Sequence, residues 1–161
     1  MKKAIDTLQR IQILAGGAFL LIFLVTVVCQ MACRYLGIAA MWTEDVSMYS
    51  FIWAVFIGAG AMVHEKAHFA FTSFSDTIRE EKKKSILQIF ICLVMLFFAV
   101  MMIRYGVEAA RQFWNYKWIN IPSLNRGPTW LCVPICGATS SIYLVYQIYT
   151  EAVKIMKGGK N

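Results

Sequence analysis

Long apolar runs broken by short polar segments dominate the chain. Four stretches contain no Asp, Glu, Lys or Arg: Ile11 to Cys33, Val46 to Val63, Ser85 to Ile103 and Gly127 to Thr150. About 20 apolar residues in a helix span the ~30 Å hydrocarbon core of a bilayer, so each stretch predicts one transmembrane helix. The second is the shortest and carries Ser47, Tyr49, Ser50 and Trp53, which predicts a place inside the bundle. Within it, Ser47, Ser50, Ala54, Gly58 and Ala61 recur at helical spacing as a stripe of small side chains, a face suited to close helix packing in lipid. The third is bulky nearly all round (Leu87, Phe90, Leu93, Phe97, Phe98, Met101), which leaves open whether it faces lipid or a partner. In the fourth, Pro128 suits a first helical turn, while Pro134 predicts a kink or the true start of the helix.

The pattern therefore predicts an all-α integral membrane protein of four transmembrane helices, one domain over residues 1–161. Composition agrees. Of the residues, 59% are hydrophobic, more than a soluble globule of 161 residues can bury. The formal charge of +7 raises nucleic acid as a partner, but the basic residues sit in short clusters between apolar runs, the pattern of loops at a membrane. Membrane lipids are the expected surroundings, and nucleic acid is not. The first apolar run is too long for a signal peptide, and Val28 before Cys29 does not suit a lipoprotein cleavage site.

Charge also predicts orientation. One side carries Lys2, Lys3, Arg10, Lys66, Arg79, Lys82, Lys83, Lys84, Lys154, Lys157 and Lys160; the other carries only Arg34, Arg104, Arg111, Lys117 and Arg126. The excess of basic residues on cytoplasmic loops then places both termini and the middle loop inside. Trp42, Trp114, Trp118 and Trp130 fall at the outer interface, where amphipathic rings are favoured. In the middle loop, Phe71, Phe74 and Ile78 share a helical face beside a lysine run. That is the pattern of a short amphipathic helix on the cytoplasmic membrane surface, with a solvated basic loop as the alternative. Arg104, Glu108 and Arg111 predict a helical extension of the third span beyond the outer surface, bridged by Glu108. It is either a solvated face or a periplasmic docking surface.

Candidate chemistry is sparse. His64-Glu65-Lys66-Ala67-His68 matches H-E-x-x-H, in which two His on successive helical turns bind zinc and the Glu activates water. An intramembrane metalloprotease is thus the alternative function. Catalytic zinc also takes a third protein ligand, and the chain has no other His. Cys29 and Cys33 lie near the same end of the bundle as Cys132 and Cys136, so a disulfide is conceivable. Their apolar surroundings favour free thiols acting as small hydrophobes. With no ionisable side chain inside the spans, neither haem ligation nor a proton-coupled transport path is expected. The expectation is a non-enzyme with no catalytic residue, metal or cofactor, acting as an accessory membrane subunit.

Near the outer surface, Thr43 is placed to cap the second helix, and Glu44 and Asp45 suit its positive end. Arg34 at the end of the first helix is placed to pair with either acid. Arg34, Trp42, Glu44 and Asp45 are therefore read as a structural clamp or a partner interface.

Several short motifs occur in a telling order: Arg34-Tyr35, then Trp42-Thr43-Glu44-Asp45, then Trp53 with Gly58-Ala59 and His68 after a basic residue, and lastly Ile121-Pro122, Trp130 and Pro134-Ile135-Cys136-Gly137. In this order the chain resembles the small membrane subunit of TRAP transporters, the DctQ-like family, over most of its length. Asp45 stands where the family more often has a second Glu, and the segment from Ile121 to Trp130 is longer than usual. The resemblance implies a multi-pass subunit of the bacterial inner membrane in a tripartite, sodium-coupled organic-acid importer. Such a subunit braces the large TRAP membrane subunit, which carries the transport path, and helps dock the periplasmic substrate-binding protein.

Overall fold

A computed structural model describes residues 2–64 and 81–158. The chain forms α1 (Lys2–Tyr35), α2 (Trp42–His64), α3 (Glu81–Gln112), the single turn α4 (Gly127–Trp130) and α5 (Cys132–Gly158). Four helical stretches are long and apolar enough to cross a membrane, the last running through α4 and α5. Among the described residues there is no strand, only an isolated antiparallel bridge between Lys117 and Asn125. The expected surface helix over Phe71, Phe74 and Ile78 lies outside the described residues.

Every span is longer than its apolar run. α1 starts at Lys2 rather than near Ile11, and α3 continues through Arg104 to Gln112. Charge sets where the hydrocarbon ends, not where the helix ends, because a polar helical turn is stable in the interface or in water. At the fourth span the chain breaks at Leu131, so Pro128 and Pro134 each sit in the first turn of a helical segment. Neither ring then removes a hydrogen bond from a helix interior.

The helices pack in the order α1, α2, α5, α3, with α2 and α5 central and α1 and α3 on the flanks. Contacts at both ends set the directions: α1 runs antiparallel to α2, with Asp6 against His64, and α3 antiparallel to α5, with Ser85 against Glu151. The central pair α2 and α5 run parallel, with Val63 against Gln147, and Asp45 meets Asn120 where α2 begins. We call the end holding the 36–41 turn and the 113–126 segment the hairpin end, and the other the terminal end.

Small residues set the crossings. Buried positions on α2 run Thr43, Ser47, Ser50, Ala54, Ile57 and Ala61, a stripe at alternating spacings of four and three. Four of the five residues expected on that face are there. Gly58 is the exception: a Cβ on it would meet nothing within 4 Å, whereas one on Gly60 would lie 3.1 Å from Thr139 Oγ1. The tight glycine is two residues further on, on the side of α2 that meets α5. On α3, the face toward α5 is narrow and small (Cys92, Ala99, Gly106 and Ala110 are buried), while Phe90, Phe97 and Phe98 point out of the bundle. Opposite it, a Cβ on Gly137 would come 2.7 Å from Ala99 O.

Polar side chains inside the bundle converge on α5. Tyr143 donates to Gln12 Oε1 at 2.5 Å, and Gln12 Nε2 donates to Thr139 at 3.0 Å, joining α1 to α5. Gln147 Nε2 donates to the Val63 carbonyl at 2.7 Å, and its Oε1 accepts from Cys92 at 3.6 Å, joining α2 and α3 to α5. At the terminal end, buried Glu151 accepts from Ser85 and pairs with Lys154 at 2.9 Å. Without water nearby, a buried polar group needs such a partner.

Candidate functional site

The hairpin end gathers most of the chain's unusual chemistry. After α3, the 113–126 segment folds back on itself: Arg126 N–H donates to Tyr116 O at 2.7 Å, and Trp118 N–H donates to Leu124 O at 3.2 Å. The Arg126 guanidinium lies 5.2 Å above the Trp118 ring, and Trp118 is itself buried. This stacking lets an interfacial indole go under while the cation above it stays at the surface.

Asp45, in the first turn of α2, pins this hairpin. Its carboxylate accepts the Asn120 backbone N–H at 2.8 Å and Asn120 Nδ2 at 3.3 Å. Thr43 is fully buried, but its hydroxyl donates to Ala40 O at 2.6 Å instead of accepting from the helix. It ties the 36–41 turn to α2 and is not a side-chain cap.

The clamp drawn from sequence is thereby corrected. Asp45 turns to Asn120, not to Arg34. Glu44 and Arg34 are exposed and line one cavity of about 370 Å³ with Gln30 and Met41, yet no ion pair among the described residues joins them. Water screens both groups, so little attraction is available to hold two long side chains in one geometry. Trp42 is half exposed beside them. Nothing in the sequence marked Asn120 as the partner, because a lone Asn 75 residues away carries no periodic signal.

Arg104, Glu108 and Arg111 do extend α3 as a helix, and all three are exposed. No ion pair bridges them among the described residues, so the expected role of Glu108 as a link is not formed. Trp114, Trp118 and Trp130 lie at this same end, with Trp130 stacked on Phe113 at 5.3 Å between centroids.

Beneath the hairpin runs a groove of about 520 Å³. Phe19 and Ile22 of α1, Tyr49 of α2, and Trp118 and Leu124 of the hairpin form its apolar walls, with Asp45 in its lining. Trp53 stacks on Phe19 at 5.5 Å and Tyr49 meets the Trp118 ring edge-on at 6.5 Å, so the walls support one another.

At the terminal end, His64 Nε2 lies 3.3 Å from Asp6 Oδ1, and its ring packs edge-on against Tyr143 at 5.3 Å. Glu65 and His68 of the H-E-x-x-H motif lie outside the described residues. None of the five cysteines forms a disulfide: Cys92, Cys132 and Cys136 are buried, while Cys29 is exposed and Cys33 is half-buried.

No curated protein matches the chain. Residues 9–154, from the first turns of α1 almost to the end of α5, match the family described as Tripartite ATP-independent periplasmic transporters, DctQ component. With four helices able to cross a membrane and a match over most of its length, the chain belongs to the DctQ family of TRAP transporter small membrane subunits.

Proposed function

We propose that this chain is the non-catalytic small membrane subunit of a tripartite, sodium-coupled organic-acid importer. It forms one four-helix domain in the inner membrane, with both termini in the cytoplasm. It braces the large membrane subunit, and its hairpin end, with exposed Arg104, Glu108 and Arg111, helps dock the periplasmic binding protein. The observation that carries this reading is the family membership taken with the bundle's interior. Its polar groups (Gln12, Thr139, Tyr143, Gln147) are hydrogen-bonded between helices, and the buried acids Asp45 and Glu151 lie at opposite ends of the spans. A path for sodium or a carboxylate calls for ionisable groups at mid-membrane, so the path belongs to a partner.

Two experiments test it. Purified from its native host in mild detergent, the tagged chain should bring down a larger membrane subunit. Reconstituted alone in liposomes with a sodium gradient, it should take up no organic acid, and uptake should need the larger subunit and a binding protein. Robust uptake by the chain alone ends the reading.

A further inference from the structure

Asp45 and the groove beneath the hairpin form an incomplete site. Asp45 is only 8% exposed, and the two hydrogen bonds to its carboxylate both come from Asn120. No ion pair among the described residues involves Asp45. Arg126, in the hairpin that Asp45 pins, sits over the Trp118 ring. A carboxylate offers about four lone-pair positions, and a buried one calls for a counter-charge. The space beside it is the apolar groove.

Resting on the assembly given under Proposed function, we propose that this groove seats a lysine or arginine side chain from a transmembrane helix of the large subunit, with Asp45 as its counter-ion. Three features select that occupant. A basic side chain carries its charge at the tip of an apolar stem, so the stem lies along Phe19, Ile22 and Tyr49 while the tip reaches the carboxylate. A phospholipid has the opposite build: phosphate and glycerol separate its ammonium from its acyl chains, so chains filling the groove hold the charge away from Asp45. A free calcium-like cation takes roughly six to eight oxygens, and beyond the Asp45 carboxylate the side chains of the lining offer only those of Tyr49, Ser50 and Asn125. Ile22 and Leu124, at the groove and well exposed, are the wall residues open to a neighbouring helix.

The test uses the complex co-expressed and purified in mild detergent. A photo-crosslinking residue at Ile22 should attach to the large subunit, and attachment to lipid alone overturns the proposal. Asp45→Asn keeps the shape and a carbonyl for Asn120 but removes the charge. The large subunit should then wash away at least about tenfold faster, as expected when one member of a buried charge pair is lost. Ile22→Trp fills the groove while leaving Asp45 and Asn120 themselves in place and should have the same effect; it decides the matter if Asp45→Asn does not insert. If the wild-type chain retains no large subunit, the assembly itself is wrong and the inference falls with it. If the wild type retains it and both variants match the wild type, the inference alone is wrong.

Discussion

The central helices α2 and α5 and the flanking helices α1 and α3 reverse the rule learned from soluble proteins. The flanking spans are the more apolar pair, yet only 17% and 11% of their most apolar windows are buried, against 28% and 44% for α2 and for the span of α4 and α5. In water the most hydrophobic segment goes inside. In a bilayer, the lipid satisfies a leucine as well as a protein core does, so apolarity confers no claim to the interior. What earns a central place is the ability to approach closely and to share hydrogen bonds. α2 and α5 have that through Ser50, Ala54, Gly60, Gly137, Tyr143 and Gln147.

The sharpest way to break this comparison is to enlarge a small residue on the inner face of a central helix. A Cβ on Gly137 would sit 2.7 Å from the Ala99 carbonyl and 3.1 Å from Ile103 N, backbone atoms that cannot swing away. Gly137→Leu should cost about 3 kcal/mol or prevent a folded subunit, the upper end of overpacking penalties. Phe97→Leu, on the exposed face of α3, should lie within about 0.5 kcal/mol of wild type. Thermal unfolding in detergent and the yield of monodisperse protein measure both. Equal effects would mean that the flank is packed as critically as the centre.

Next in size is the polar convergence on α5. Gln147→Leu leaves the Cys92 thiol and the Val63 carbonyl without this partner and should cost about 1 kcal/mol, the usual scale for hydrogen bonds between membrane helices. Thr26, on the flank, bonds only within its own helix, to the Ile22 and Phe23 carbonyls, so Thr26→Val should cost less. A larger loss at Thr26 than at Gln147 reverses the comparison.

Smaller still is the effect expected at Gly58. Its added Cβ meets open space, so Gly58→Ala should stay within about 0.5 kcal/mol of wild type. Gly60→Ala, which presses on Thr139 Oγ1 at 3.1 Å, should cost measurably more in the same melts. The smallest effect is the coupling between Arg34 and Glu44. Both are exposed and unpaired with each other, so a double-mutant cycle of Arg34→Ala and Glu44→Ala should be additive within about 0.5 kcal/mol. Clear coupling would restore the clamp that their sequence positions suggest.

Much of the site's outline was legible one residue at a time. Trp42, Glu44 and Asp45 open α2 where the apolar run suggested, and the spacing of Arg104, Glu108 and Arg111 foretold the helical extension of α3. Legibility ended where a role depends on which way a side chain turns. Gly58 fits the period of the α2 stripe as well as Ala54 does, yet the α2–α5 crossing uses Gly60. Likewise, the aromatic residues of α3 hid its narrow inner face of Cys92, Ala99 and Gly106, because bulky residues on the lipid side dominate any average over the helix.

The sequence by itself determined how many helices can cross a membrane, roughly where, and to which family the chain belongs. Those properties follow from local runs of transfer free energy and from motifs read in order along the chain. Only the tertiary structure decided that α2 and α5 take the centre, that Asp45 bonds Asn120 and not Arg34, and that an apolar groove opens beside a buried carboxylate. The physical reason is that hydrogen bonds and close packing act over a few ångströms between residues far apart in the chain, so no pattern along the chain records which distant partner comes within reach.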